Sequence, residues 1–267
     1  MKTAFALAAL AGVAIFASFA QQTYPVPAAN DDAGYESIFD GKTLKGWDGD
    51  PHYWRVEDGA LVGEITPQNL LKQNTFIIWQ GGQPRDFELK VEYRISAHGN
   101  SGINYRSTRL PDQPLAMRGY QFDIDGENRN ANGVRYTAQN YEERGRTFLA
   151  LRGQMTQIVS GQKPQIIGSL GDTKQLESFI KNGDWNECHL IIRGNMLIHI
   201  LNGHVMSMVI DDDAANRRLD GLIGVQVHVG PPMKVEYRNF RLKRLPESTS
   251  AARTLPILAI QPLPAGQ

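Results

Sequence analysis

The sequence predicts an all-β protein, a two-sheet antiparallel jelly-roll sandwich, and three features carry that expectation. Apolar residues recur with period two, the spacing of strands that lay one face on a core and the other on solvent. Two-residue turns built from Gly and Asn separate several of these stretches, and only one short segment has helical spacing. Asp86 to Ser96 shows the alternation: Phe87, Leu89, Val91, Tyr93 and Ile95 point one way, Glu88, Lys90, Glu92 and Arg94 the other. It recurs in Leu190 to Leu201, where Gly194-Asn195 joins Ile191–Arg193 to Met196–Leu201 as a hairpin. Gly and Asn supply the positive φ angles that a two-residue loop requires. Asn202-Gly203 is a second such turn, leading into His204 to Ile210, and Lys234 to Leu245 is a closing strand. Asp172 reads as the N-cap of a helix reaching Ile180, with Leu176, Phe179 and Ile180 at helical spacing. Strand patterns spread from about residue 35 to residue 245 exceed an immunoglobulin-sized unit and fit a larger jelly roll with one concave sheet.

The 267 residues, 41% hydrophobic and 21% charged, have the composition of a globular protein. Lys plus Arg equals Asp plus Glu at 28 each, so no basic field exists to neutralise a phosphate backbone and nucleic acid is not an expected partner. Lys2, the apolar run Ala4 to Phe16, and the small residues Ser18 and Ala20 form the pattern of a signal peptide over residues 1–20, with Gln21 as the mature start. Export to the periplasm or medium follows as an expectation. No later segment is long and apolar enough to span a bilayer. Residues 21–34 read as a flexible leader, 35–245 as the domain, and 246–267 as a Pro-rich tail carrying Pro246, Pro256, Pro262 and Pro264. Cys188, the single cysteine, permits no internal disulfide and reads as a small buried hydrophobe. There is no HExxH, CxxC pair, GxxxxGK or GxSxG, which removes support for zinc peptidase, NTPase and serine esterase functions.

Several ordered segments carry a resemblance. They are IFDGKTLKGW (38–47), WRVEDGAL (54–61), DFELKVEY (86–93), GNSGINYR (99–106), GYQFD (119–123), GDWN (183–186), LNG (201–203), GVQVH (224–228) and YRNF (237–240). In this order and spacing they resemble the 3-keto-disaccharide hydrolase domain family, from about Tyr35 to Leu245. The resemblance implies a concanavalin A-like lectin/glucanase fold, export, and cleavage of glycosides whose glucose ring carries a ketone at C3.

Such a ketone acidifies the hydrogen on C2. A general base can remove it and expel the C1 substituent, after which water adds back; a donor for the C3 enolate oxygen and an acid for the leaving oxygen complete the need. Arg106 closes GNSGINYR and shares a face with Asn104 in an alternating strand, which makes its guanidinium a candidate for the enolate oxygen. Gln121, Asp123 and Asp125 form a polar stripe opposite Tyr120, Phe122 and Ile124. Relatives place Glu and Gln where this chain has Gln121 and Asp123, so the carboxylate has moved by two positions.

YEERGRTFL (141–149) supplies Tyr141, Glu143 as the leading candidate base, Glu142 pointing oppositely, and Arg144 and Arg146 as substrate ligands or modulators of the carboxylate. Gln226 and His228 share a face in a late strand whose other face carries Val225 and Val227; His228 is a candidate acid or metal ligand. No cofactor is expected, with a calcium loop at Asp125-Gly126-Glu127-Asn128 as the alternative to a plain turn. Competing functions are a non-catalytic carbohydrate-binding module and a conventional glycosidase, for which Asp123 and Glu143 are the pair to test.

Overall fold

A computed structural model describes residues 33–130 and 133–246. The expected signal peptide, nearly all of the leader and the tail beyond Pro246 lie outside the described residues. No helix among those described is long and apolar enough to cross a membrane.

Two sheets share the strands. The first contains β2 (Trp47–Asp48), β5 (Thr75–Trp79), β7 (Asn100–Leu110), β8 (Gln113–Asp125), β9 (Asn140–Glu143), β10 (Thr147–Ala150) and β16 (Leu222–Val227), in the spatial order β10-β9-β8-β7-β16-β5-β2. The second contains β1 (Glu36–Ser37), β3 (Trp54–Glu57), β4 (Ala60–Ile65), β6 (Phe87–Ile95), β11 (Gln154–Val159), β12 (Gln165–Ser169), β13 (Asn186–Arg193), β14 (Met196–Leu201), β15 (His204–Asp212) and β17 (Met233–Arg244). Its order is β12-β11-β15-β14-β13-β6-β17-β4-β3, with β1 also on β17. All pairings are antiparallel except β11 with β15, which run parallel. This is the jelly-roll sandwich that the period-two patterns imply.

Burial follows the alternation residue by residue. Phe87, Leu89, Val91, Tyr93 and Ile95 of β6 join Ile103, Tyr105, Tyr120, Phe122, Ile124, Val225 and Val227 of the other sheet in one core. Burying such side chains contributes roughly 1.5–3 kcal/mol each, the main term holding the sheets face to face. The β13–β14 hairpin has Arg193 opposite Met196, and Gly194 takes φ +56°. Asn202 and Gly203 both adopt positive φ, as a two-residue turn between β14 and β15 requires. The one helix, α1 (Thr173–Glu177), is capped by Asp172, which accepts from the Gln175 N–H. It stops short of the expected Ile180. Cys188 is buried and unpaired.

One buried polar network bridges the sheets. His199 of β14 donates from Nδ1 to the Gln139 carbonyl at 3.2 Å, and its Nε2 lies 2.9 Å from the Tyr105 hydroxyl on β7. Complete burial pushes the His199 pKa down to about 3. The unfolded chain therefore takes up a proton near pH 6.5 that the folded chain refuses, so this contribution is intact above pH 6.5 and is lost as pH falls toward 3. Between pH 6.5 and 5 it should cost about 2 kcal/mol. Urea titrations of wild type and His199→Leu at both pH values measure it: the variant should lose correspondingly less, and equal losses would contradict the assignment.

Candidate active site

The face of the seven-stranded sheet turned away from the core carries the polar residues. In β8 it presents Gln121 and Asp123, since Tyr120, Phe122 and Ile124 go to the core. Gln121 lies opposite Tyr141 of β9, and Glu143 lies two residues beyond on the same face. Gln121, Asp123, Tyr141, Glu143 and His228 line one cavity of about 160 Å³, together with Asn100, Tyr136 and Phe148. Five of the ten expected site residues thus converge.

The two carboxylates are equally shielded, each 7% exposed, and differ in their partners. Asp123 accepts from Gln121 Nε2 at 2.9 Å. Burial pushes its pKa well above the ordinary carboxylate range, with the charges of Asp125 and Glu143 adding to the rise. Glu143 accepts from Asn74 Nδ2 at 3.2 Å and has Arg144 at 3.8 Å. Asn74 is itself held by its Oδ1, which accepts from the Val229 N–H at 2.9 Å. It therefore ties the candidate base to the end of β16.

Around them stand an imidazole and an aromatic wall. His228 Nδ1 lies 2.7 Å from the Val229 carbonyl. A carbonyl only accepts, so Nδ1 carries a proton and Nε2 is the ring nitrogen left to meet a ligand. Phe148 stacks on Tyr136 and meets Tyr141 edge-on, with centroids 5.1 and 5.0 Å apart. Burial, then Glu143 and Asp123, raise the Tyr141 pKa, so its hydroxyl stays a donor at neutral pH. A second cavity of about 330 Å³ shares Asn100 and His228 with the first.

Other expected residues go elsewhere. Arg106 takes φ +44° at a bulge that breaks the register with β8 after Tyr105, so it does not follow Asn104 onto the polar face. Its side chain is buried: Nε and Nη2 donate to the Arg85 carbonyl, Nη1 to those of Gly194 and Arg218, and Nη2 also to Asp86 at 3.0 Å. Gly119 and Gly221 make room for the bulge, because a Cβ on either would fall within 3.0 Å of Arg106 or Ser107 backbone. Arg106 is a structural tie and lines no part of the cavity.

Asp125 is likewise occupied. Its Oδ1 accepts from Arg135 Nε at 3.1 Å and from Thr137, and its Oδ2 from the Tyr136 N–H at 2.6 Å. It positions Tyr136 rather than substrate. Arg146 binds Glu142 at 2.6 Å and Asp211 at 2.6 Å on the opposite side of β9. Among the described residues no group of three or more His, Cys, Asp and Glu is placed together for a metal ion. Asn104 and Gln226 do lie on the polar face, but both are fully buried and line no part of the cavity.

Residues that sequence reasoning missed are Asn74, Asn100, Tyr136 and Phe148. Asn100 belongs to GNSGINYR and Phe148 to YEERGRTFL, so both were within the marked segments. Period two from Asn104 back to Asn100 would have found the former. Nothing local singles out Asn74. Three of the four tryptophans, Trp47, Trp54 and Trp79, are buried, while Trp185 is held by Arg238 and Arg94 at 3.8 and 4.9 Å.

A profile of the 3-keto-alpha-glucoside-1,2-lyase-like domain matches residues 34–243. The chain belongs to this family. A 3-keto-disaccharide hydrolase of Bacteroides thetaiotaomicron is 36% identical over 89 residues, 28% of each chain, so the match spans little more than a quarter of that relative. A solved structure from Parabacteroides distasonis, assigned to the glycosyl hydrolases, covers 80% of this chain and 94% of its own at 19% identity and TM-score 0.51. A Bacillus subtilis protein with a galectin-like fold covers 80% of this chain and all of its own at 12% identity and TM-score 0.53. At these identities the structural likeness speaks for the fold.

Proposed function

We propose that this family member is an exported enzyme that cleaves 3-keto-glycosides by elimination and hydration. The observation that carries the reading is one cavity holding two carboxylates with unlike partners, a pattern that separates an acid from a base. Glu143, supported by the Asn74 amide, removes the C2 proton. Tyr141 donates to the C3 oxygen as the enolate forms, taking the part first expected of Arg106. Asp123, kept protonated by burial, gives its proton to the leaving C1 oxygen. His228, oriented by its Nδ1 bond to the Val229 carbonyl, turns Nε2 to a hydroxyl of the departing group. The neighbouring cavity, across Asn100 and His228, receives that group. Export rests on the Lys2 to Ala20 pattern, and intact mass from the native host should place the mature start at Gln21.

The deciding experiment offers a 3-keto-disaccharide and its unoxidised parent and follows release of the leaving sugar. Release is expected only from the oxidised substrate. It should fall on the alkaline side, as pH rises through the elevated pKa of Asp123 and the acid is lost. Comparable release from the parent would point to a conventional glycosidase. Binding without release from either would favour the carbohydrate-binding reading.

A further inference from the structure

On the polar face of the seven-stranded sheet, joined to the cavity through Gln121, is a group of amides whose hydrogen-bonding capacity is unfilled. Gln226 is fully buried and neither its Oε1 nor its Nε2 has a protein partner. Asn104 Oδ1 and Gln121 Oε1 are also buried without one. The register brings these groups together. Val225 lies opposite Ile103, so Gln226 falls opposite Gly102, and Gly102 lies opposite Asp123. Across one glycine the backbones of Gln226 and Asp123 are separated by about 10 Å, two strand spacings. Asn104 lies opposite Gln121 in the next row.

Gly102 leaves the space that the group needs. A Cβ there would fall 2.4 Å from Gln121 Cδ, because the Gln121 side chain lies across it. From that position Gln121 Nε2 donates to Asp123, while its Oε1 is buried without a protein partner. An unpartnered buried amide costs about 1–3 kcal/mol, so three on one face would be a heavy penalty without a compensating ligand. The hydrogen-bonding pattern, with three carbonyl-type acceptors and one NH₂ donor set, suits water, which donates twice and accepts twice.

We propose that Gln226, Asn104 and Gln121 form a bound-water site that supplies the water of hydration during turnover. This rests on the elimination reading. Elimination breaks C2–H and C1–O, sends the protons from C2 to Glu143 and from Asp123 to the leaving oxygen, and forms C1=C2 conjugated with the C3 ketone. Hydration reverses the roles. The Asp123 carboxylate takes a proton from water, the water oxygen bonds to C1, and Glu143 returns its proton to C2. Stopping after the first half gives a lyase, and completing the second gives a hydrolase. Through Gln121 the buried amide site adjoins Asp123, the group that must activate the water, so delivery does not wait for the leaving sugar to clear the opening.

The test is Gln226→Met, which preserves length and removes the amide. With a 3-keto-disaccharide the variant should still release the leaving sugar. Its ratio of hydrated 3-keto sugar to the unsaturated enone should fall about tenfold, the equivalent of one lost hydrogen bond. Enone absorbance and chromatography of the products read that ratio. An unchanged ratio overturns the proposal, whereas a wild type that releases nothing from the keto substrate overturns the functional reading instead. A crystal structure of the wild type provides a readout independent of activity: ordered water within about 3 Å of the Gln226 and Asn104 amides is expected. Amides bonded to each other or to protein groups would overturn the site. If Gln226→Met does not fold, Asn104→Leu is read by the same ratio.

Discussion

Glu143→Gln should lower turnover of a 3-keto-disaccharide by roughly 10²–10⁴-fold while leaving the fold and sugar binding intact, the range by which a positioned base accelerates proton transfer. The substitution preserves shape, and an amide can still meet Asn74, which holds Glu143 Oε1 at 3.2 Å. Only basicity is lost. Proton abstraction from C2 also makes that hydrogen exchangeable, so wild type in heavy water should place deuterium at C2 of unreacted substrate wherever return of the proton outruns departure of the C1 group. Exchange and cleavage should disappear together in Glu143→Gln. In Asp123→Asn exchange should survive while release of the leaving sugar falls, because the acid acts at C1 and not at C2. Exchange that persists in Glu143→Gln would move the base to another group. Loss of exchange only in Asp123→Asn would reverse the two assignments.

Arg106→Ala should destabilise the protein by about 3–5 kcal/mol, the usual cost of breaking a buried, hydrogen-bonded ion pair from one side. Its removal takes the guanidinium away from the buried Asp86 carboxylate and withdraws the donors from the Arg85, Gly194 and Arg218 carbonyls. Arg106→Lys should recover little, since one ammonium cannot span the directions that the guanidinium fork reaches. Urea unfolding measures the loss. Per folded molecule, activity should stay near wild type because Arg106 lines no part of the cavity. A stable Arg106→Ala protein with sharply reduced turnover would restore Arg106 to the site.

The alternation along β8 and β9 was sufficient to sort residues between the faces. Gln121 and Asp123 separate from Tyr120, Phe122 and Ile124, and Glu143 separates from Glu142, in the way that the period of two demands. That information is local: each extended residue turns its side chain opposite to the last, whatever lies across the sheet. The same reasoning failed at Arg106, where a left-handed φ and a bulge interrupt the period without any warning in the residue types of GNSGINYR.

Sequence by itself determined the two-sheet class, the hairpin turns and the face that Gln121 and Asp123 share. Tertiary structure alone decided which polar residues are free to meet a ligand. Arg146 is captured by Asp211, 65 residues away, and Arg106 by Gly194, 88 residues away. Asn74 reaches the site through Glu143 and through Val229, 155 residues further along the chain. A jelly roll places strands side by side that are distant in sequence, as β5 lies beside β16, so a side chain's partners are set by topology and not by its neighbours. Local periodicity determines the face a residue occupies; contacts across the sheets determine whether a charge there is already neutralised or remains available for chemistry.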